Sequence, residues 1–332
     1  MSKLLVSDFH VRETGSYLFL NELKLVNLDT VFDERKDKVD RIVVMGDFFN
    51  NPNPSHSLVA RCAVPFEKLG EHISKVVFFP GNHDPIFKSE SPFSAFASGT
   101  RTSGKGMNLV TADKPFFDEE FKAVYCAWSK GELPKAPALD WDFFGHVQIR
   151  DWVKFTNAGF TLAELEKLGY RKYYFGDFHP FVDQGKFVSV GTFGASDFGD
   201  EGLKSGYVIA NDDGGFVRRI LDYPVFKRFD LYVKDGKITN NLPHQRHVKG
   251  NIVKIMLHGV DKDLTNEVVE GVRDFFNAED KPLKLSVEKV YEEVAQTEKK
   301  PLLSLAEIFE KHWNGWPDAA RVEYDKLKEQ SV

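Results

Sequence analysis

Val76-Val77-Phe78-Phe79-Pro80-Gly81-Asn82-His83-Asp84 is four apolar residues, a chain stop and three polar side chains. β-Branched and aromatic residues in so short a run read as a buried strand, and Pro-Gly ends it. The same grammar recurs along the first half of the chain. Leu4–Val6 leads into Ser7-Asp8-Phe9-His10, and Ile42–Met45 leads into Gly46-Asp47. Phe143-Phe144 leads into Gly145-His146, and Tyr173–Phe175 leads into Gly176-Asp177-Phe178-His179. Helical stretches lie between some of these runs: Leu58–Ile73, which Pro65 should kink or split, and Thr161–Leu168. Alternating strands and helices predict a layered α/β protein, in which loops at one sheet edge converge on a common site.

Past Gly191 the pattern changes. Lys186–Val190, Gly206–Ala210 and Phe216–Leu221 read as further strands, with a turn at Asp212-Asp213-Gly214-Gly215. From about Tyr223 a second, smaller unit begins: strand Ile252–Leu257, helix Thr265–Phe276, strand Leu283–Val287. A polar stretch, Glu292–Pro301, separates it from a segment that opens with Ser304 and Glu307 in capping-box spacing. Leu305, Ile308, Phe309 and Trp313 then follow at helical intervals.

The chain has 332 residues, 42% hydrophobic and 28% charged, which excludes wholesale disorder. Its net charge of -6 does not advertise a nucleic-acid binder, although bound divalent cations would supply positive charge locally. The 30 phenylalanines read as core packing. No run is long and apolar enough for a membrane span, and the first ten residues turn acidic too soon for a signal peptide. Two cysteines, Cys62 and Cys126, form neither a disulfide framework nor a zinc pattern, so a reducing cytoplasm is the expected location.

Asp8, His10, Asp47, Asn82, His83, His146, Asp177 and His179 mix hard oxygen ligands with imidazoles and include no thiolate. That set suits Mn²⁺, Mg²⁺ or iron better than structural zinc. Asp8 and Asp47 could separately be helix N-caps, and His146 a surface or satisfied histidine, but capping leaves the accompanying Gly and His unexplained.

In this order the blocks resemble the calcineurin-like metallophosphoesterase superfamily, whose pattern is D-x-H, G-D, G-N-H-D, a lone His and G-H-x-H. Four blocks fit as they stand; the fifth departs, with Asp177 where the family has its first His. Within the superfamily the chain is similar to the nuclease subunit of SbcCD-type DNA repair complexes and to phage recombination endonuclease subunits. Asn53-Pro54-Ser55, Gly191-Thr192-Phe193, Asp197-Phe198 and Gly206-Tyr207-Val208-Ile209 carry that narrower likeness.

The resemblance implies a four-layer sandwich, two central mixed sheets flanked by helices, over residues 1–222. A small α+β capping domain over 223–291, a linker over 292–301 and a helical docking segment over 302–332 would follow. It implies two Mn²⁺ ions, with Mg²⁺ as the other candidate. Asp8, His10 and His179 would hold one; Asn82, His146 and Asp177 the second; Asp47 would bridge both with its two oxygens. His83 would act as general acid or transition-state donor, oriented or polarised by Asp84. The implied activity is that of a DNA exonuclease and endonuclease processing DNA ends in recombination, repair and replication. The implied partners are DNA, an SbcC-like ABC-type ATPase with a coiled coil, reached through the 302–316 helix, and a second copy of the chain through 55–73. Two other readings remain: a stand-alone phosphomonoesterase or phosphodiesterase on the same fold, and a catalytically silent scaffold, for which Asp177 is the sole support.

Overall fold

The structure is a computed structural model and describes residues 1–15, 17–84, 108–110, 114–128, 132–153, 158–243, 247–279 and 282–291. The linker over 292–301 and the docking segment over 302–332 lie outside the described residues.

Three sheets organise the described chain. The first has six strands: β1 (Ser2–Val6), β2 (Arg41–Met45), β3 (Val76–Phe79), β4 (Asn108–Leu109), β11 (Gly206–Asn211) and β12 (Phe216–Ile220). Their order is β12-β11-β1-β2-β3-β4; β1 to β4 run parallel, β11 pairs antiparallel with β1, and β12 antiparallel with β11. The second sheet contains β5 (Phe116–Asp118), β6 (Ala123–Cys126), β7 (Asp142–His146), β8 (Lys172–Gly176), β9 (Val182–Gln184) and β10 (Phe187–Ser189). Its order is β5-β6-β7-β8-β10-β9.

The two-residue period of a strand explains how these sheets stack. Leu5, Val43, Met45, Val77 and Phe79 point inward and meet Ala123, Tyr125, Phe144, Tyr174 and Val188 of the second sheet. Leu4, Val6, Ile42, Val44 and Phe78 point outward, beneath helices α1 (Phe19–Arg35) and α2 (His56–Glu67). On the far side, Val124, Phe143, Tyr173 and Phe175 are covered by Trp141, Tyr170 and Leu165, the last from the short helix α3 (Leu162–Glu166). Each such side chain, fully buried, contributes about 1.5–3 kcal/mol. Buried on both faces, the central strands become near-continuous apolar runs, which is why they stood out in the sequence.

The third sheet is β14-β13-β15-β16, from β13 (Phe226–Lys234), β14 (Lys237–Ile238), β15 (Ile252–Gly259) and β16 (Lys284–Tyr291). Helix α4 (Asn266–Glu279) closes a separate core with Val269, Val272 and Phe276 against Leu231, Ile255 and Leu257. Tyr223, Phe226 and Ile252 join it to Leu20 and Ala195, and the Tyr223 hydroxyl donates to the Ala195 carbonyl at 3.0 Å.

Two local features depart from expectation. Helix α2 runs through Pro65 to Glu67, and the break comes at Gly70, whose φ of +55° starts a 3-10 turn (Gly70–Lys75). Helix α1 was not anticipated: it buries Asn21 and Lys24 while exposing Phe19 and Val26, so its apolar stripe is blurred.

Candidate metal centre

Register brings the expected residues to one edge. Val6 pairs with Val44 and Met45 with Phe79, so the first three strands end together and their loops leave side by side. The Asp8 amide donates to the Gly46 carbonyl at 3.2 Å, and the His10 amide to the Asp47 carbonyl at 2.9 Å. In the second sheet His146 pairs with Gly176, which sets Asp177 one residue beyond it.

Backbone conformation marks the same positions. Among the described residues six non-glycines have positive φ, and four of them are Asp8 (54°), His10 (46°), Asp47 (49°) and Asp177 (80°). Each such conformation costs about 1–3 kcal/mol, and surrounding structure must hold it. Three glycines give the loops room to meet. A Cβ on Gly46 would lie 2.5 Å from His146 Nδ1, one on Gly81 2.7 Å from His146 Nε2, and one on Gly176 2.8 Å from His146 Nδ1.

The side chains converge. His10 Nε2 faces His179 Nε2 at 2.9 Å. Asp47 Oδ2 lies 3.6 Å from His10 Nε2 and 3.4 Å from His146 Nε2. His146 Nε2 also faces Asn82 Oδ1 at 3.1 Å and Asp177 Oδ1 at 3.7 Å, while His179 Nε2 is 4.0 Å from Asp8 Oδ1. Asp8 Oδ2 is buried with no hydrogen-bond partner. Imidazole nitrogens aimed at one another among acceptor oxygens, with one buried carboxylate oxygen unpaired, fit cations at the centre of the cage. Asp8, His10 and His179 come together, as do Asp8, Asp47 and His146, and His10, Asp47 and His83, so Asp47 lies between the His10 and His146 imidazoles. Asp177, at the position where the pattern departs, therefore faces His146 with the rest.

Titration follows from the same crowding. Burial pushes the Asp8 carboxyl up to about 6 against the pull of His146 and His179, and burial pushes His10 down to about 3. For His146 burial lowers the value, but the Asp47, Asp8 and Asp177 carboxylates outweigh it and lift the imidazole to about 10. Burial likewise lowers His179, yet its bond to Asp200 and the nearby carboxylates raise it to about 9. Asp47 is raised by burial and lowered more strongly by His146 and His10, so it stays below the ordinary range. Without cations the cage must gather protons to balance its carboxylates; cations take their place.

Two expected roles are corrected. The Asp84 carboxylate does not polarise His83: it accepts the backbone amides of Phe49 (2.8 Å), Gly81 (2.9 Å) and Phe48 (3.2 Å), and so splints the loop carrying Asp47 to the loop carrying Asn82. His83 instead puts Nδ1 3.4 Å from the Asn50 carbonyl, exposed at the cleft with its ring edge-on to His10. Nor does Asp47 present both oxygens to the centre. Its Oδ1 accepts the His83 amide at 2.9 Å, leaving Oδ2 between the two imidazoles.

Sequence reasoning missed three supports. Asp200 Oδ1 meets His179 Nδ1 at 2.5 Å, fixing that ring so that Nε2 faces inward. The His146 ring is fixed the same way by the Met45 carbonyl, 2.8 Å from Nδ1. Lys24, fully buried, donates to the Phe9 carbonyl at 2.5 Å and to Ser196 Oγ at 2.6 Å, tying the Asp8–His10 loop to the 191–197 loop. Burial, then the charge of Arg12, pushes its ammonium down to about 7. Asp197-Phe198 lay within a motif already noticed, but nothing local tied Asp200 to a histidine 21 residues earlier.

A family model described as calcineurin-like phosphoesterase matches residues 1–177. The chain belongs to the calcineurin-like phosphoesterase family. As a member of that family it is a hydrolase of phosphate esters, and the family binds divalent metals in a dinuclear site, in keeping with the groups Asp8–His10–His179, His10–Asp47–His83 and Asp8–Asp47–His146. Among solved structures it is similar to a conserved uncharacterized protein, a predicted phosphoesterase, from Streptococcus pneumoniae. Identity is 13% over 66% of this chain and 97% of that one, with a TM-score of 0.31. The search of curated proteins finds no match. No helix among the described residues is long and apolar enough to cross a membrane.

Proposed function

We propose that this phosphoesterase is a DNA nuclease that uses two Mn²⁺ ions, working as the nuclease subunit of an SbcCD-like complex. The observation that carries the reading is the split cage around Asp47 Oδ2 with an exposed imidazole, His83, beside it at an open cleft of about 320 Å³. Diester hydrolysis needs an activated water, a polarised phosphoryl oxygen and a stabilised leaving oxygen, which paired divalent ions supply when bound. Asp8, His10 and His179 would hold one ion; Asn82, His146 and Asp177 the other. Asp8 and Asp47 keep the cage anionic, Asp200 and Met45 orient the imidazoles, and His83 donates to the phosphate or the leaving group. The facing of Asp177 towards His146 speaks against the silent-scaffold reading.

DNA as substrate rests on the likeness of Asn53–Ser55, Gly191–Phe193, Asp197-Phe198 and Gly206–Ile209 to the nuclease branch, together with the separate unit built on the third sheet. We assign 1–222 to a four-layer nuclease domain, 223–291 to a capping domain, and 302–316 to contact with an ABC-type ATPase in the cytoplasm. The groove between α1 and α2, with Val26 and Val64 exposed, supports a homodimer through 55–73.

The test is cleavage of a linear duplex with Mn²⁺, with and without the ATPase, beside a small phosphate monoester. Cleavage of DNA is expected, with His83→Asn lowering kcat about 10²–10⁴-fold while bound metal stays at two per chain. Efficient monoester hydrolysis with DNA left intact would favour the stand-alone phosphatase.

A further inference from the structure

We propose that Arg12 binds the phosphate adjacent to the one being cleaved, and so makes the site prefer a polynucleotide to a small diester; this rests on the nuclease reading above. Val11 pairs with Phe49 in an isolated parallel bridge: the Val11 amide donates to the Phe48 carbonyl and the Asn50 amide to the Val11 carbonyl. Val11 points into the core, while His10 and Arg12 on either side of it both line the cleft. Two steps along a chain reach about 6.6 Å at full extension, comparable to the separation of neighbouring phosphates on one nucleic-acid strand. A phosphate held by the His10 half of the centre therefore leaves its neighbour near Arg12.

Arg12 is set in place. The Asn21 side chain, 4% exposed, takes the Arg12 amide at 3.3 Å and returns a bond from Nδ2 to the Arg12 carbonyl at 2.5 Å. Its guanidinium has five N–H donors, and among the described residues only Asp197 Oδ2 meets it, through Nη2 at 3.3 Å. Asp197 is itself half exposed, and its other oxygen accepts the Gly199 amide. Exposed ion pairs of this kind hold a side chain in direction without consuming it. Among the described residues lining the cleft, Arg12 is the only lysine or arginine, where Asp47, Asp177, Asp197 and Asp200 would otherwise repel a second phosphate. A planar guanidinium suits that phosphate bidentately in a way an ammonium does not.

The experiment compares wild type, Arg12→Ala and Arg12→Lys on two Mn²⁺-supported substrates. One is bis(p-nitrophenyl) phosphate, which has a single phosphate; the other is a short single-stranded oligonucleotide. The ratio of kcat/KM for oligonucleotide over small diester should fall about tenfold or more in Arg12→Ala. Arg12→Lys should recover part of it. Oligonucleotide binding with Ca²⁺ in place of Mn²⁺ should lose about one unit of salt slope in Arg12→Ala. An unchanged ratio in Arg12→Ala overturns the proposal, as does an equal loss on both substrates accompanied by loss of the Mn²⁺-induced rise in Tm, which would make Arg12 a support of the centre. Wild type that cleaves the small diester and leaves the oligonucleotide intact fails the nuclease reading itself, and is told apart by that protein alone.

Discussion

Lys24→Met gives the sharpest test of how the centre is braced. Lys24 is 1% exposed, and burial holds its ammonium at about 7 against an ordinary lysine value of 10.5. At 1.36 kcal/mol per pH unit that gap is on the order of 5 kcal/mol. Between pH 7 and 10.5 the unfolded chain carries a proton on Lys24 that the folded chain has released. Wild-type stability therefore gains a rising component across that window, and the penalty of burying the charge is complete below pH 7. Between pH 7.5 and 9.5 the component is on the order of a few kcal/mol. Methionine fills similar space and carries no proton, so the variant lacks this slope while also losing the bonds to Phe9 and Ser196 at every pH. Urea unfolding of both proteins in EDTA, at several pH values across that range, gives the two slopes, and groups that do not face Lys24 cancel in the difference. Parallel slopes would refute the depression of Lys24 by burial, and a variant as stable as wild type across the range would refute the claim that Lys24 braces the Asp8–His10 loop.

Two further outcomes follow from the geometry. Asp200→Asn should weaken Mn²⁺ binding about 10–100-fold in calorimetric titration, because His179 loses the carboxylate that orients its ring, and Asp200→Glu should restore part of it. Unchanged affinity would make Asp200 a bystander. Gly81→Ala would put a methyl 2.5 Å from the Asp47 amide and 2.7 Å from His146 Nε2, so the Mn²⁺-dependent rise in Tm should vanish while far-UV circular dichroism stays near wild type. A normal metal response in that variant would mean that the cage has slack.

The seven positions expected to hold metal come together because each sits where an apolar run stops, and parallel strands in register deliver their ends to one edge. What stayed hidden has a tertiary cause. Helix α1 turns a lysine and an asparagine inward because they serve backbone groups of the site loops, and that spoils its amphipathic pattern. Strand β13 turns Phe229, Leu231 and Val233 to one core and Phe226 to another, a broken pattern weaker than the buried runs of the first two sheets. Asp84 follows His83 in sequence, which suggested that one serves the other, but successive side chains diverge, and Asp84 turns back into the protein. Asp200 became visible only when folding carried it to His179.

The cage draws on both large sheets. Asp8, His10, Asp47 and Asn82 follow strands of the first, and His146, Asp177 and His179 belong to the second, so each half needs donors from both. Ion affinity is thus a gauge of how the sheets are seated on one another. Trimming Leu5, Val43, Phe144 or Tyr174 in the shared interior, none of which lines the cleft, should loosen the ions before it unfolds the chain.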